Sequence, residues 1–258
     1  MDKLTLIKVG GKIVEEEDEL NRLLADFQKV EGYKILIHGG GGLATQLATQ
    51  LGIESRMIDG RRITDAETLK VVIMVYAGWV NKRIVARLQA LGINAVGLTG
   101  ADMNVIRSVK RPVRTIDYGF AGDIVEVDAG RLAFLLQQDI VPVMSPLTHD
   151  KLGNLLNTNA DTIAAETAKS LARLFDVTLM YCFEKNGVLR NDQDDESVIP
   201  ELDHDLYVNY KEKGLIHSGM IPKLDNAFNA LDSGVKQVII TKASAILTKK
   251  GTLIQNRF

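Results

Sequence analysis

The segment Lys8-Val9-Gly10-Gly11, which closes the apolar run Leu4-Thr5-Leu6-Ile7, decides how this chain reads. A second segment of the same design follows: Ile35-Leu36-Ile37 runs into His38-Gly39-Gly40-Gly41-Gly42. In both, a short apolar strand pattern hands over to a helical one through consecutive glycines, whose bare backbone lets N–H groups converge on an anion. Neither turn has the spacing G-x-x-x-x-G-K-[ST] or G-x-G-x-x-G. Walker-type and dinucleotide readings therefore lose their main support.

Working outward, similar apolar runs predict strands over 4–9, 34–37, 93–98, 140–143, 177–183 and 236–240. Their near-continuous hydrophobicity suits strands covered on both faces. Helical patterns alternate with them. One begins at Thr64-Asp65-Ala66-Glu67, which has the spacing of a capping box, and continues through Leu69, Val72, Ile73, Tyr76, Val80 and Ile84. Another covers 159–174, and a third follows Gly219 with Pro222 in its first turn. The alternation predicts an α/β fold, an open and mostly parallel sheet between helical layers. Residues 105–109 and 123–127 read as a hairpin excursion. If there are two lobes, the seam falls near residue 170 with the sheet continuing through it. Ligands in such sheets bind beyond the carboxyl ends of the strands, where both glycine turns and the regions of Asn157 and Phe183 meet.

The chain has 258 residues, a length that suits one large domain, and its net charge of −2 gives no electrostatic footprint for nucleic acid or an acidic membrane. The single cysteine, Cys182, has no partner for an internal disulfide and lies in an apolar run, so it reads as an inert buried thiol in a reducing compartment. The first residues lack signal-peptide anatomy, and the longest apolar stretch, about 71–80, is too short to span a bilayer. These features predict a soluble cytoplasmic protein. The acidic run Asn191-Asp192-Gln193-Asp194-Asp195-Glu196 lacks the spacing of a calcium loop and reads as a solvated turn. No HExxH motif or Cys/His cluster suggests a metal, and no Ser-His-Asp set is apparent.

Several side chains have two readings. Lys8, at a strand end, either snorkels to solvent or meets the anion that the glycine donors attract. Arg61-Arg62 is either a surface pair or a source of one bidentate carboxylate clamp. In Asn157-Thr158-Asn159-Ala160-Asp161, helix capping needs one residue and Asn159 supplies it, which leaves Asn157 and Asp161 for other work. Lys223 begins a helix, where the macrodipole disfavours a cation unless an anion shares the site. His38 reads as structural. Tyr76 and Trp79 read as core or interface residues, an acyl-pocket wall being the third place for them. The lack of an evident base fits a carboxylate acceptor, since a glutamate side chain in water titrates near about 4.3 and is already ionised at neutral pH.

The ensemble resembles the amino acid kinase family, and within it the branch acting on N-acylated glutamate. The likeness runs through Lys8-Val9-Gly10-Gly11, His38-Gly39-Gly40-Gly41, Gly60-Arg61-Arg62-Ile63-Thr64, Val80-Asn81-Lys82, Gly97-Leu98-Thr99-Gly100-Ala101-Asp102, Tyr118-Gly119-Phe120-Ala121-Gly122-Asp123, Leu156-Asn157-Thr158-Asn159-Ala160-Asp161 and Gly219-Met220-Ile221-Pro222-Lys223. It implies a three-layer αβα sandwich over 1–258, with an amino-acid and dimer lobe to about 170 and a nucleotide lobe over 171–258. It also implies ATP, with Mg2+ carried by the nucleotide, as donor to the side-chain carboxylate of N-acetyl-L-glutamate, on the route to arginine. By this resemblance Lys8 and Lys223 stabilise the transferring phosphoryl group, and Asp161 holds both lysines. Gly10 and Gly11, with Gly40 and Gly41, supply backbone donors to phosphate and substrate, while Arg62 and Asn157 grip the α-carboxylate. The nucleotide falls to Glu184, Lys185, Gly187, Leu189, Leu215 and His217. The family's usual Ser/Thr-Asp-Val is here Phe183-Glu184-Lys185. Starting directly with its first strand, the chain resembles arginine-insensitive homodimers rather than hexamers. Another acyl group, such as succinyl, or a non-catalytic acylglutamate-binding protein are the alternatives.

Overall fold

The structure is a computed structural model that describes residues 1–58, 60–191, 193–216 and 219–256. Its central sheet has eight strands in the order β12 (Glu201–Leu202), β14 (Thr252–Ile254), β13 (Gln237–Lys242), β11 (Asp176–Phe183), β1 (Lys3–Val9), β2 (Tyr33–His38), β8 (Val141–Met144), β5 (Ala95–Leu98). Every neighbouring pair from β13 to β5 is parallel. β14 turns back antiparallel to β13, and β12 runs parallel to β14. Because β1 pairs directly with β11, the sheet passes without a break from the first half of the chain to the second.

Side-chain alternation along the buried strands assigns each helix to a face. Leu4 and Leu6 of β1 join a core with α6 (Ala129–Gln137), α7 (Ala160–Leu171), α8 (His204–Glu212) and α9 (Ile221–Asp232). Ile7 and Val9 join the opposite core with α1 (Gly11–Glu15), α2 (Glu17–Gln28), α3 (Gly41–Gln50), α4 (Ala66–Val72) and α5 (Asn81–Ala90). This is the three-layer arrangement. In α2, Leu20, Leu23, Leu24 and Phe27 are all buried at helical spacing, each contributing about 1.5–3 kcal/mol of apolar transfer. Parity also sets the chemistry: Lys8 lies on the Leu4–Leu6 side of β1, the side that α7 covers.

Some expectations need correction. The helix after Thr64 is capped one residue later, by Asp65, whose carboxylate accepts the Thr68 N–H at 2.7 Å. Thr64 is buried and instead donates its hydroxyl to the Arg62 carbonyl. The strand expected over 93–98 starts at Ala95, because Ile93 N–H still closes the preceding helix on Leu88 O. The hairpin is part of a four-stranded sheet, in the order β10 (Leu155–Asn157), β9 (Leu147–His149), β6 (Ile106–Lys110), β7 (Gly122–Val127). β9 and β10 are three residues long, too short to show a periodicity. A two-stranded ribbon, β3 (Met57–Ile58) and β4 (Arg61–Arg62), carries the paired arginines. Between α4 and α5 the helix is π-wound over Ile73–Val80. Among the described residues no helix is long and apolar enough to cross a membrane.

Candidate active site

Lys8 at the end of β1 and Lys223 in the first turn of α9 meet on one carboxylate. Lys8 Nζ lies 2.6 Å from Asp161 Oδ1, and Lys223 Nζ lies 3.2 Å from Asp161 Oδ2. Asp161 is presented by the first turn of α7, where the Asn159 side chain caps the helix by accepting the N–H groups of Asp161 and Thr162. Asp161 and Lys8 are both buried. Burial opposes ionisation of Asp161, but the two ammonium groups outweigh it and hold its carboxyl below the usual range. A buried ion pair such as Lys8–Asp161 is an inefficient stabiliser, because desolvation consumes much of the attraction. Its product is placement. Two cations share one anion, leaving a surplus of one positive charge and spare ammonium hydrogens.

A cavity of about 160 Å³ is lined by Gly40, Gly41, Arg62 and Asn157, together with Tyr76 and with Ala160, the residue before Asp161. Gly40 has φ 153°, a conformation suited to glycine, and a Cβ there would lie 3.1 Å from the Tyr76 ring. Arg62 is 6% exposed. Its guanidinium donates to Ser55 Oγ at 2.7 Å, Gly41 O at 2.8 Å and Thr45 Oγ1 at 2.9 Å. Its Nε is buried with no partner, and among the described residues no carboxylate pairs with it. A buried cation held only by neutral acceptors is suited to receive an anionic ligand. Asn157, at the end of β10, donates to Thr64 Oγ1 at 3.0 Å.

The glycine turns divide their duties differently from expectation. Gly10, expected as a phosphate donor, has its N–H committed to Cys182 O at 2.9 Å and stands as the N-cap of α1. Gly11 and Gly41 begin α1 and α3, where the first N–H groups have no acceptor within the helix. A Cβ on Gly11 would lie 3.7 Å from Gly40 N and 3.6 Å from Gly41 N, so the two turns abut. Gly42 serves packing, because the Glu15 carboxylate lies where its Cβ would be, 2.0 Å from Oε1. His38 is structural and fully buried. Its Nδ1 donates to Gly39 O at 2.8 Å and its Nε2 accepts from Asn81 Nδ2 at 3.1 Å, an assignment made from the network. Burial lowers its pKa to about 4, so the ring is neutral. Cys182 is also buried, its thiol pushed up to about 12 by burial.

A second cavity, of about 470 Å³, is lined by Lys185, Gly187, Leu189 and Leu215 together with Lys223 of the trio. Glu184 does not belong to that lining. Its carboxylate pairs with Lys12 at 3.5 Å, both side chains open to solvent. His217 lies outside the described residues. Lys185 Nζ pairs with Asp195 at 3.0 Å, tying the acidic run to the cavity rim. Gly187 is required for packing, since its Cβ would lie 2.8 Å from Thr252 Oγ1.

Sequence reading missed the residues that brace Arg62, because Thr45 and Ser55 are short polar side chains with no distinguishing spacing. Of the two aromatics on the long helix, Tyr76 is buried in the pocket wall, whereas Trp79 is 60% exposed and lies over Arg83.

A model of the amino acid kinase family matches residues 3–242. Over 254 residues the chain is 68% identical to a protein named acetylglutamate kinase from Phocaeicola vulgatus, covering 98% of this chain and 99% of that one. It is 67% identical to another of that name from Parabacteroides distasonis, covering 98% and 100%. Among solved structures, N-acetylglutamate synthase from Neisseria gonorrhoeae, complexed with coenzyme A and N-acetyl-glutamate, superposes with a TM-score of 0.84 at 26% identity, covering 99% of this chain and 60% of that one.

Proposed function

This chain belongs to the amino acid kinase family, and from that premise we propose that it moves the γ-phosphoryl group of ATP to the side-chain carboxylate of N-acetyl-L-glutamate. The product is N-acetyl-L-glutamyl 5-phosphate, an intermediate of arginine biosynthesis. One observation carries the reading: two lysines distant in sequence, Lys8 and Lys223, meet on the Asp161 carboxylate, with Lys223 also lining the larger cavity. The names of the most similar relatives support the choice of acceptor.

The acceptor carboxylate attacks phosphorus already ionised, so no general base is needed. What the transfer needs is alignment and compensation of the charge spread over the phosphoryl oxygens. In this reading Lys8 approaches that group from the acceptor side and Lys223 from the donor side, and Asp161 keeps the two ammonium groups in register. The N–H groups of Gly11, Gly40 and Gly41 add neutral donors. Arg62 and Asn157 hold the α-carboxylate, and the N-acyl group prevents the activated side chain from cyclising. The cavity beside Lys185, Gly187, Leu189 and Leu215 takes the nucleotide, and ADP departs from it. In this reading Mg2+ arrives on the ATP phosphates. We further infer a cytoplasmic homodimer in which residues to about 170 bind the amino acid and 171–258 bind the nucleotide.

The test is hydroxamate formation from N-acetyl-L-glutamate, ATP, Mg2+ and hydroxylamine. The expected result is acyl phosphate trapped in proportion to ADP released. Binding of N-acetyl-L-glutamate without turnover would instead make the chain a non-catalytic binder.

A further inference from the structure

Tyr76 reaches the acceptor pocket through an irregularity of the long helix. Val71, Tyr76 and Asn81 are buried at five-residue intervals, 1%, 5% and 1% exposed. In an α-helix, residues five apart point about 140° away from each other. The π-winding over Ile73–Val80 narrows that divergence, and the Asn81 N–H reaches back to Tyr76 O, five residues earlier. One face of the helix can therefore do two things. Asn81 fixes His38 and Val143 O at the base of the second glycine turn. Tyr76 lays its ring against Gly40 and lines the cavity with Arg62 and Asn157.

The Tyr76 hydroxyl lies beside the Arg62 guanidinium, and no other partner for it occurs among the described residues. Burial raises its pKa, so it is an un-ionised phenol at neutral pH. A phenol oxygen that accepts from a guanidinium keeps its own hydrogen to donate. Arg62 is already held by Ser55, Gly41 O and Thr45, and among the described residues no hydrogen bond donated by the Tyr76 hydroxyl occurs, which leaves that hydrogen to the cavity.

We propose that Tyr76 is a substrate-binding residue whose O–H donates to the same carboxylate that Arg62 receives, making a tyrosine–arginine clamp presented by π-wound helix. This rests on the acylglutamate reading of the pocket. The hydroxyl gives the clamp a direction: it favours a carboxylate oxygen and penalises any ligand that presents N–H there. A hydrogen bond from a neutral phenol to a carboxylate sets the size of the effect, about tenfold in affinity.

The experiment compares wild type with Tyr76→Phe, which removes one oxygen and keeps the ring against Gly40. Unfolding midpoints establish that both are folded, and Tyr76→Leu serves as a second variant lacking the hydroxyl. The expected result is a KM for N-acetyl-L-glutamate raised about tenfold in both variants, with the KM for ATP within about twofold. Calorimetry without ATP is expected to show the same loss in Kd. Replacing the ligand's α-carboxylate by a carboxamide should cost wild type more than Tyr76→Phe. Equal carboxamide penalties, or an unchanged KM in Tyr76→Phe, overturn the clamp and leave the kinase reading intact. Wild type that binds N-acetyl-L-glutamate without turnover overturns the kinase reading alone, and the calorimetric comparison still decides Tyr76. Wild type that does not bind N-acetyl-L-glutamate at all overturns both.

Discussion

Around Arg62 the polar surroundings are braced: the guanidinium is held by three neutral acceptors, Asn157 by Thr64, and the glycine turn by the His38–Asn81 contact. The cavity beside Lys185 is about three times larger, about 470 Å³ against about 160 Å³. Its rim includes Leu215, 43% exposed, and an ion pair open to solvent. In the proposed reading the braced, cation-lined cavity is the acceptor side and the larger, more open one the donor side. Of the Lys8–Asp161–Lys223 trio, Lys223 lines the larger cavity, and Ala160, next to Asp161 in sequence, lines the smaller. A small acidic substrate has few atoms with which to be recognised, so its pocket must be organised in advance. A nucleotide has many, and tolerates a looser frame.

The largest effect falls on the trio. Lys8→Ala is expected to lower kcat on the order of 10²–10³-fold with a smaller change in either KM, measured by steady-state hydroxamate kinetics. Near-normal turnover would remove the trio from the chemistry. Next comes the bracing of the acceptor side. His38 has a folded pKa of about 4, below the ordinary histidine value of 6.5, so the unfolded chain takes up the proton first as pH falls. Its contribution is fully present above about pH 6.5 and is lost as pH falls to about 4, about 3 kcal/mol in all. Urea unfolding across that window should slope less steeply with pH in His38→Gln than in wild type; equal slopes would mean the ring is not the buried neutral brace described. Arg62→Ala should raise the KM for the acylated amino acid about 10–100-fold while leaving the KM for ATP nearly unchanged. A matching rise for ATP would merge the two regions into one. The smallest effect belongs to the open side. Lys185→Ala loses an exposed ion pair and should shift the KM for ATP by no more than about threefold. A tenfold shift would show that the donor side is as tightly built as the acceptor side.

The sheet was legible because strands covered on both faces carry unbroken apolar runs, and β1, β2, β11 and β13 announce themselves within two residues. β9 and β10 did not, since three residues hold no period. The second glycine turn was legible as a feature but not in its division of labour. Gly40 answers to its backbone angle and to Tyr76, and Gly42 to the Glu15 carboxylate. No spacing connects residues 8, 161 and 223, and the resemblance to a family supplied that link. The role of Tyr76 was hidden by the π-winding: its sequence spacing fits an ordinary buried helix face, and only the backbone shows which pocket it enters.

The bridging position of Asp161 bears on how the protein is made. A nascent chain that has emerged past α7 already contains Lys8 and its carboxylate, a pair with no net charge. The surplus cation arrives only with α9, late in synthesis. Incomplete chains would therefore lack the surplus positive charge, and two separately expressed halves would regain it only on association.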